Sequence, residues 1–282
     1  MDLSIAPALL FTPGNKPERF AKGLNSGANG LILDLEDAVP EAEKEQARDN
    51  VLQFLNGETP DSVYTIIRIN HIKTNAGLRD LLALKDADYH CDAILYPKTE
   101  SAEELKIIYE LLNLEARNIK LLALIETTKG ANQISATVNA APFLAGLVFG
   151  AADYCADAGC ELTWESLLFP RYQVVQAAAL AKIAAIDSPF FDFANEEKLV
   201  SETMEVKALG FKGKLAIHPK QVDAIKRCFT PSAEQVEKAR KIIALYEEAG
   251  GKACQYQGEM IDVPVYRHAQ QLVQLFKSIR GE

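Results

Sequence analysis

Short apolar runs alternate almost from end to end with segments whose apolar residues recur every three or four positions. The runs are ALLFTP (8–13), GLILDLED (30–37), YTIIRIN (64–70), AILYPK (93–98), LLALIET (121–127), GLVFGAAD (146–153), AAIDSP (184–189) and GKLAIHP (213–219). Their apolar residues are nearly continuous, the pattern of strands covered on both faces. Segments such as 40–56 and 101–116 read as helices, and Ser101 followed by Glu104 predicts a capping box at the start of the second. Strict alternation of strand and helix implies parallel strands joined by right-handed crossovers. Eight such units predict an α/β chain folded as a (β/α)8 TIM barrel over residues 1–229. A doubly wound open sheet is the alternative. It fits less well, because every strand ends in polar or special residues and not only those at a switch point. Beyond the barrel the pattern changes to helices over 231–249 and 264–280, joined by GGKACQYQGEMIDVP (250–264). The paired glycines mark a stop and Pro264 a helix start. Residues 230–282 therefore read as a helical extension that caps the barrel or serves as a lid or oligomer arm.

Composition narrows the function classes. The 282 residues, 48% hydrophobic and 24% charged, suffice for a full core. A formal charge of −9 argues against a nucleic-acid-binding surface. Residues 1–8 lack the features of a signal peptide, and no apolar stretch approaches the roughly 20 residues of a membrane span. The expectation is a cytoplasmic protein with no membrane partner. The five cysteines are odd in number and contain no CxxC pair, which argues against a disulfide framework or a zinc site.

In a parallel barrel the C-terminal strand ends share one rim, where the chemistry resides. Here those ends carry Asn15, the cluster Asp34 to Asp37, Arg68 with Asn70, Lys98, Glu126, Asp153, Asp187 and His218. Four acids are expected to converge: Asp34 or Glu36, Glu126, Asp153 and Asp187. Crowded carboxylates cannot all remain ionised without a cation. Arg68, Lys98 and a divalent metal would supply the balance. Acids without convergent Cys or several His favour Mg²⁺ or Mn²⁺ over Zn²⁺. Glu126 and Asp153 would suffice as protein ligands, leaving other positions to water and a chelating substrate. Structural salt bridges are the competing reading of the same acids. The planar guanidinium of Arg68 suits a substrate carboxylate, with a neighbouring acid as its alternative partner. His218, before Pro219, reads as a structural hydrogen-bond partner or a base. The turn FTPGNKPERF (11–20) carries Lys16 and Arg19, with Lys22 just beyond. It reads as an anion site at a helix start or as an ordinary turn with solvated bases.

The segments LFTPGNKPERFAKGLNSGANGLILDLEDAVPEAEKEQAR (10–48), IIRIN (66–70), LIET (124–127), FGAADY (149–154) and LAIHPKQV (215–222) occur in order, followed by MIDVPV (260–265). In them the chain resembles the citrate lyase beta-subunit and malyl-CoA lyase family. The resemblance implies a (β/α)8 barrel that cleaves or forms a carbon–carbon bond beside an acyl-CoA thioester. It implies Mg²⁺ ligands at Glu126 and Asp153, and Arg68 as the group binding the substrate's carboxylate or carbonyl oxygens. Phe11, Lys16, Lys22, Ile217 and His218 fall at substrate or CoA contacts. Glu36 and Asp37 match acids that hold metal-bound water. Asp262 matches an acid that relatives bring from a neighbouring subunit to act on the α-carbon proton. Lys16 departs from the arginine of many CoA-using relatives, replacing a fork with a point charge. The implied assembly is a homotrimer or hexamer.

Several activities remain open within this resemblance. The implied partners are a CoA thioester (citryl-, malyl- or citramalyl-CoA) and a small α-keto acid. Alternatives are a malyl-CoA thioesterase, a malate-synthase-like enzyme, a CoA-independent class II aldolase for 2-keto-3-deoxy acids, and a subunit that needs an acyl-carrier or lyase-complex partner.

Overall fold

The computed structural model of the protein describes residues 1–280, which fall into two compact units, Met1–Lys226 and a second beginning at Arg227. In the first unit eight parallel strands form a closed barrel in chain order. They are β1 (Ala8–Pro13), β2 (Gly30–Asp34), β3 (Tyr64–Arg68), β4 (Ala93–Tyr96), β5 (Lys120–Ile125), β6 (Leu144–Phe149), β7 (Ala184–Asp187) and β8 (Gly213–Ala216), with β8 pairing back onto β1. The helices are α1 (Phe20–Leu24), α2 (Lys44–Leu55), α3 (Asn75–Asp86), α4 (Ala102–Leu111), α5 (Thr128–Ala140), α6 (Ala151–Ala158), α7 (Trp164–Ala181), α8 (Glu196–Leu209) and α9 (Val222–Phe229). The TIM-barrel expectation holds. Among the described residues no helix is long and apolar enough to cross a membrane.

Alternation along the strands builds the core. Leu9, Ile32, Ile66, Leu95, Leu122, Val148, Ile186 and Leu215, one from each strand, pack into a single buried cluster inside the barrel. The intervening residues face the helices and are also buried, which explains the continuous apolar runs. Each such side chain contributes roughly 1.5–3 kcal/mol by leaving water. The same period of two assigns the polar strand ends to a face. Phe11, Asp34, Arg68, Glu126 and Ile217 continue the inward set and stand at the barrel's mouth.

Three expectations are corrected here. Asp187 follows Ile186 and so faces outward, away from the rim. It is fully buried against Arg171 of α7 (Nε to Oδ1, 2.9 Å) and Lys214 of β8 (2.6 Å). Asp153 does not end a strand. β6 stops at Phe149, Gly150 caps α6, and Asp153 lies in that helix's first turn, where an acid complements the helix dipole. The capping box at residue 101 forms only by half. Ser101 accepts the Glu104 amide, but the Glu104 carboxylate turns to Lys73, 2.5 Å away.

The second unit contains α10 (Ala233–Glu248) and α11 (Val263–Arg280), whose Tyr246 and Tyr266 rings stack at 4.6 Å. Between these helices the linker forms an antiparallel hairpin, β9 (Cys254–Tyr256) and β10 (Glu259–Ile261), that the hydrophobic pattern did not predict. Its two turn residues, Gln257 and Gly258, have φ of 52° and 86°, the left-handed pair that a two-residue hairpin turn requires.

Candidate active site

Neighbouring strands build the rim's central ion pair. Asp34 and Arg68 are the last residues of β2 and β3 and stand opposite each other in the ladder. Arg68 donates from Nε to Asp34 Oδ1 at 2.6 Å and from Nη2 to Oδ2 at 2.5 Å. Asp34 also accepts the amides of Glu36 (2.9 Å) and Ala38 (3.1 Å), so its carboxylate is fully used inside the protein. It is the positioner of Arg68 and has no oxygen left for a metal. The guanidinium lies over the Phe11 ring, 4.7 Å from its centroid. Burial opposes the charge of Arg68, but the Asp34 and Glu36 carboxylates outweigh it and keep the group protonated.

Around this pair lie the other acids. Glu36 is buried, with Oε2 2.9 Å from Arg68 Nη1 but without the alignment of a hydrogen bond. Its other oxygen pairs with Lys98 Nζ. Glu126 is the first residue after β5. It is 1% exposed, and its Oε1 accepts the Lys98 amide at 2.8 Å. Asp153 reaches in from α6 with a half-open side chain, 39% exposed. Lys98 Nζ lies 3.7 Å from Asp153, 4.0 Å from Glu126 and 3.4 Å from the exposed Asp37. Burial pushes the Glu126 carboxyl up, and the charges of Glu36 and Asp153 push it further, against Lys98 and Arg68. Burial likewise raises Glu36, with Asp37 adding to it. The cluster therefore holds more carboxyl groups than its two bases readily keep ionised.

This chemistry fits a hard cation. Glu126 and Asp153 offer carboxylate oxygens within 4.0 Å of one positive atom, and Glu36 Oε2 is a buried acceptor without a donor. Among the described residues no group of three or more His, Cys, Asp and Glu converges on one point. A pair is enough for Mg²⁺, which commonly takes one or two carboxylates and completes its shell with water and substrate oxygens.

The remaining predicted residues are more dispersed. Lys16 and Lys22 are exposed, the first on the turn that leads into α1 and the second within that helix of only five residues. Ile217 follows β8 at the mouth, 38% exposed. His218 caps a short 3-10 helix, accepting the Lys220 amide at Nδ1 (3.2 Å), and stacks on Phe193 at 4.9 Å. Asp262 belongs to the second unit, where its side chain accepts the Val265 amide (3.2 Å) at the start of α11. A cavity of about 240 Å³ bordered by Tyr89, His90, Asp92 and Arg117 is lined from the loops that enter β3, β4 and β5, at the opposite end of the strands. The central place of Lys98 was visible in the sequence only as one more charge at a strand end.

Comparison with known proteins identifies the family. The family model for HpcH/HpaI aldolase/citrate lyase matches residues 8–219, and one for a carbon–carbon bond lyase of the TIM-barrel fold matches 171–277. Citrate lyase subunit beta of Haemophilus influenzae is 32% identical, over 99% of this chain and 100% of that protein. L-malyl-CoA/beta-methylmalyl-CoA lyase of Rhodobacter capsulatus is also 32% identical, over 94% and 92%. Among solved structures, CitE from Mycobacterium tuberculosis in complex with magnesium, acetoacetate and coenzyme A superposes with a TM-score of 0.82, at 30% identity and 98% coverage of both chains. The chain thus belongs to the HpcH/HpaI aldolase/citrate lyase family and is a carbon–carbon lyase on a (β/α)8 barrel.

Proposed function

We propose that the chain is a Mg²⁺-dependent lyase acting on a 3-hydroxy-acyl-CoA thioester that bears a carboxylate, releasing an α-keto acid and an acyl-CoA, or running the same reaction in reverse. One observation carries the reading. Two acids able to share a cation, Glu126 and Asp153, face one positive atom beside an arginine locked at the mouth of the barrel. The magnesium, acetoacetate and coenzyme A bound to the related CitE support the metal and substrate class, and Mn²⁺ is the expected substitute metal.

In this reading Glu126 and Asp153 hold the metal. The metal supplies Lewis-acid stabilisation of oxygens on the substrate. Arg68, fixed by Asp34 through two of its nitrogens, would use Nη1, now 2.9 Å from Glu36 Oε2, to orient the substrate carboxylate. Glu36 and Asp37 accept hydrogen bonds from ordered water beside the metal ligands. Phe11 and Ile217 supply apolar walls, and His218 lies next to Ile217 on the same rim segment. Lys16 and Lys22 supply exposed positive charge for the phosphates of CoA. Asp262 is assigned to a neighbouring copy's site in a homotrimer or hexamer, where its carboxyl exchanges a proton with the α-carbon of the acyl thioester.

The test is a panel of citryl-, malyl- and citramalyl-CoA incubated with Mg²⁺, with mass detection of keto acid and thioester. Formation of an acyl-CoA and a keto acid in equal amounts is the expected outcome. Release of free CoA thiol without a keto acid would instead identify a thioesterase. Cleavage of a free 2-keto-3-deoxy acid, with no turnover of any thioester, would identify an aldolase independent of CoA.

A further inference from the structure

The rim carries a cation of its own, to which the proposed reaction gives no role. Lys98 Nζ pairs with Glu36 and lies within 4.0 Å of Asp37, Asp153 and Glu126. Its bonded partner is Glu36, and both proposed metal ligands lie at the edge of its reach. Its backbone is unusual as well. With φ at 46° it occupies the left-handed region, which is unfavourable for a non-glycine residue. In that conformation its amide donates to Glu126 Oε1 at 2.8 Å. One residue thus fixes a proposed metal ligand through its main chain and neutralises both ligands through its side chain. The Arg68 charge also acts on Glu126, but its closest ion pairs are with Asp34 and Glu36.

A divalent ion on Glu126 and Asp153 would face this ammonium across a few ångströms, and like charges at such range in a partly buried site repel strongly. The lysine stem is flexible and its side chain is 31% exposed, so the ammonium can swing away from the ligands while it stays bonded to Glu36, its nearest partner. We propose that Lys98 is a resident cation whose ammonium, anchored on Glu36, balances Glu126 and Asp153 in the metal-free protein, and that a divalent metal binds only by driving that ammonium away from the two ligands while its bond to Glu36 is kept. The residue thereby sets the affinity for the metal. It keeps the empty site from flying apart and weakens metal binding through competition. This inference rests on the assignment of Glu126 and Asp153 as metal ligands.

The test is Mn²⁺ binding, read from the signal of free Mn²⁺ by electron paramagnetic resonance, for the wild-type chain, Lys98→Met, Lys98→Arg and Asp153→Asn. Lys98→Met keeps the main-chain amide and the stem but removes the charge. It is expected to bind Mn²⁺ about tenfold more tightly or better. Lys98→Arg is expected to stay near wild type. Thermal unfolding with and without Mn²⁺ provides a second readout, in which Lys98→Met is expected to be less stable than wild type without metal and to gain more from its addition. Equal or weaker Mn²⁺ binding by folded Lys98→Met, in a background where Asp153→Asn abolishes wild-type binding, overturns the role of Lys98 alone. Absence of Mn²⁺ binding by both the wild-type chain and Lys98→Met overturns the metal assignment and this inference together. If Lys98→Met does not fold, Lys98→Gln takes its place with the same expected outcomes.

Discussion

At the scale of single residues, the site depends on one arginine being held still. Asp34 spends both oxygens on the Arg68 fork and also receives two backbone amides. Each oxygen accepts one guanidinium N–H and one backbone N–H, so an asparagine there, whichever way it turns, sets its NH2 against one of each, placing donor against donor. Removing one partner of a buried ion pair typically costs about 3–5 kcal/mol. Asp34→Asn should therefore lower the urea midpoint of unfolding and reduce kcat/KM on a carboxylate-bearing thioester. An unaltered midpoint would mean that the fork carries little weight. The pairing was half legible in the sequence. A neighbouring acid was one of two partners expected for Arg68, and Asp34 and Arg68 each close a five-residue strand that begins at the same level of the barrel. The left-handed backbone of Lys98 was not legible, since a lysine carries no preference for that region and the bond its amide makes there is to Glu126, 28 residues on.

At the scale of elements, the period of two along a strand decides which charges serve the rim. Eight apolar runs sufficed to predict eight strands and their parallel order. Counting the runs did not separate Glu126, in step with the inward Leu122 and Leu124, from Asp187, out of step with Ile186. Asp187 instead neutralises Arg171 and Lys214 between the barrel and its helices. Burial works against its charge, yet these two bases outweigh burial and hold its carboxyl below the usual range. Because the folded-state value lies below the unfolded one, the stability it provides is complete above about pH 4 and is lost as pH falls through the folded value. Asp187→Asn should cost about 3–5 kcal/mol at neutral pH. Its stability should then decline less steeply than that of wild type in urea titrations carried below pH 4. The junction of β6 and α6 allows a sharper test of the rim. A Cβ at Gly150 would overlap the Glu126 carboxylate and lie 2.6 Å from Glu126 Cβ, whereas the backbone, at φ −112°, accepts any residue. Gly150→Ala should thus act by pushing Glu126 aside, weakening Mn²⁺ binding about tenfold or more for a stability cost of about 1–3 kcal/mol. Undiminished Mn²⁺ binding would show that Glu126 can shift without loss.

At the scale of the whole molecule, the proposed reaction divides its groups between the two units. Glu126, Asp153 and Arg68 belong to the barrel, and Asp262 to the helical unit that begins at Arg227. The capping role of Asp262 on α11 is compatible with any placement of that unit, so the division must be tested by function. Two variants, each expected to be inactive, allow this. Asp153→Ala removes a proposed metal ligand and leaves Asp262, whereas Asp262→Ala does the reverse. If Asp262 works within its own chain, every chain in a mixture carries one defect and no site is complete. If it works across copies, a site is complete whenever a barrel from the Asp262→Ala chain meets an arm from the Asp153→Ala chain. In a closed homo-oligomer reassembled at random from equal amounts, each condition is met half the time, so roughly a quarter of the sites recover. The expected outcome is recovery of roughly a quarter of wild-type lyase activity after dissociation and mixed reassembly, and none when the two variants are reassembled separately. A mixture as inactive as its parents, with hetero-oligomers verified by mass, would place Asp262 in its own chain's site or outside the reaction. The kinetics of Asp262→Ala alone distinguish those two cases. Loss of kcat with KM little changed marks a group that acts in proton transfer, and unchanged turnover removes Asp262 from the reaction.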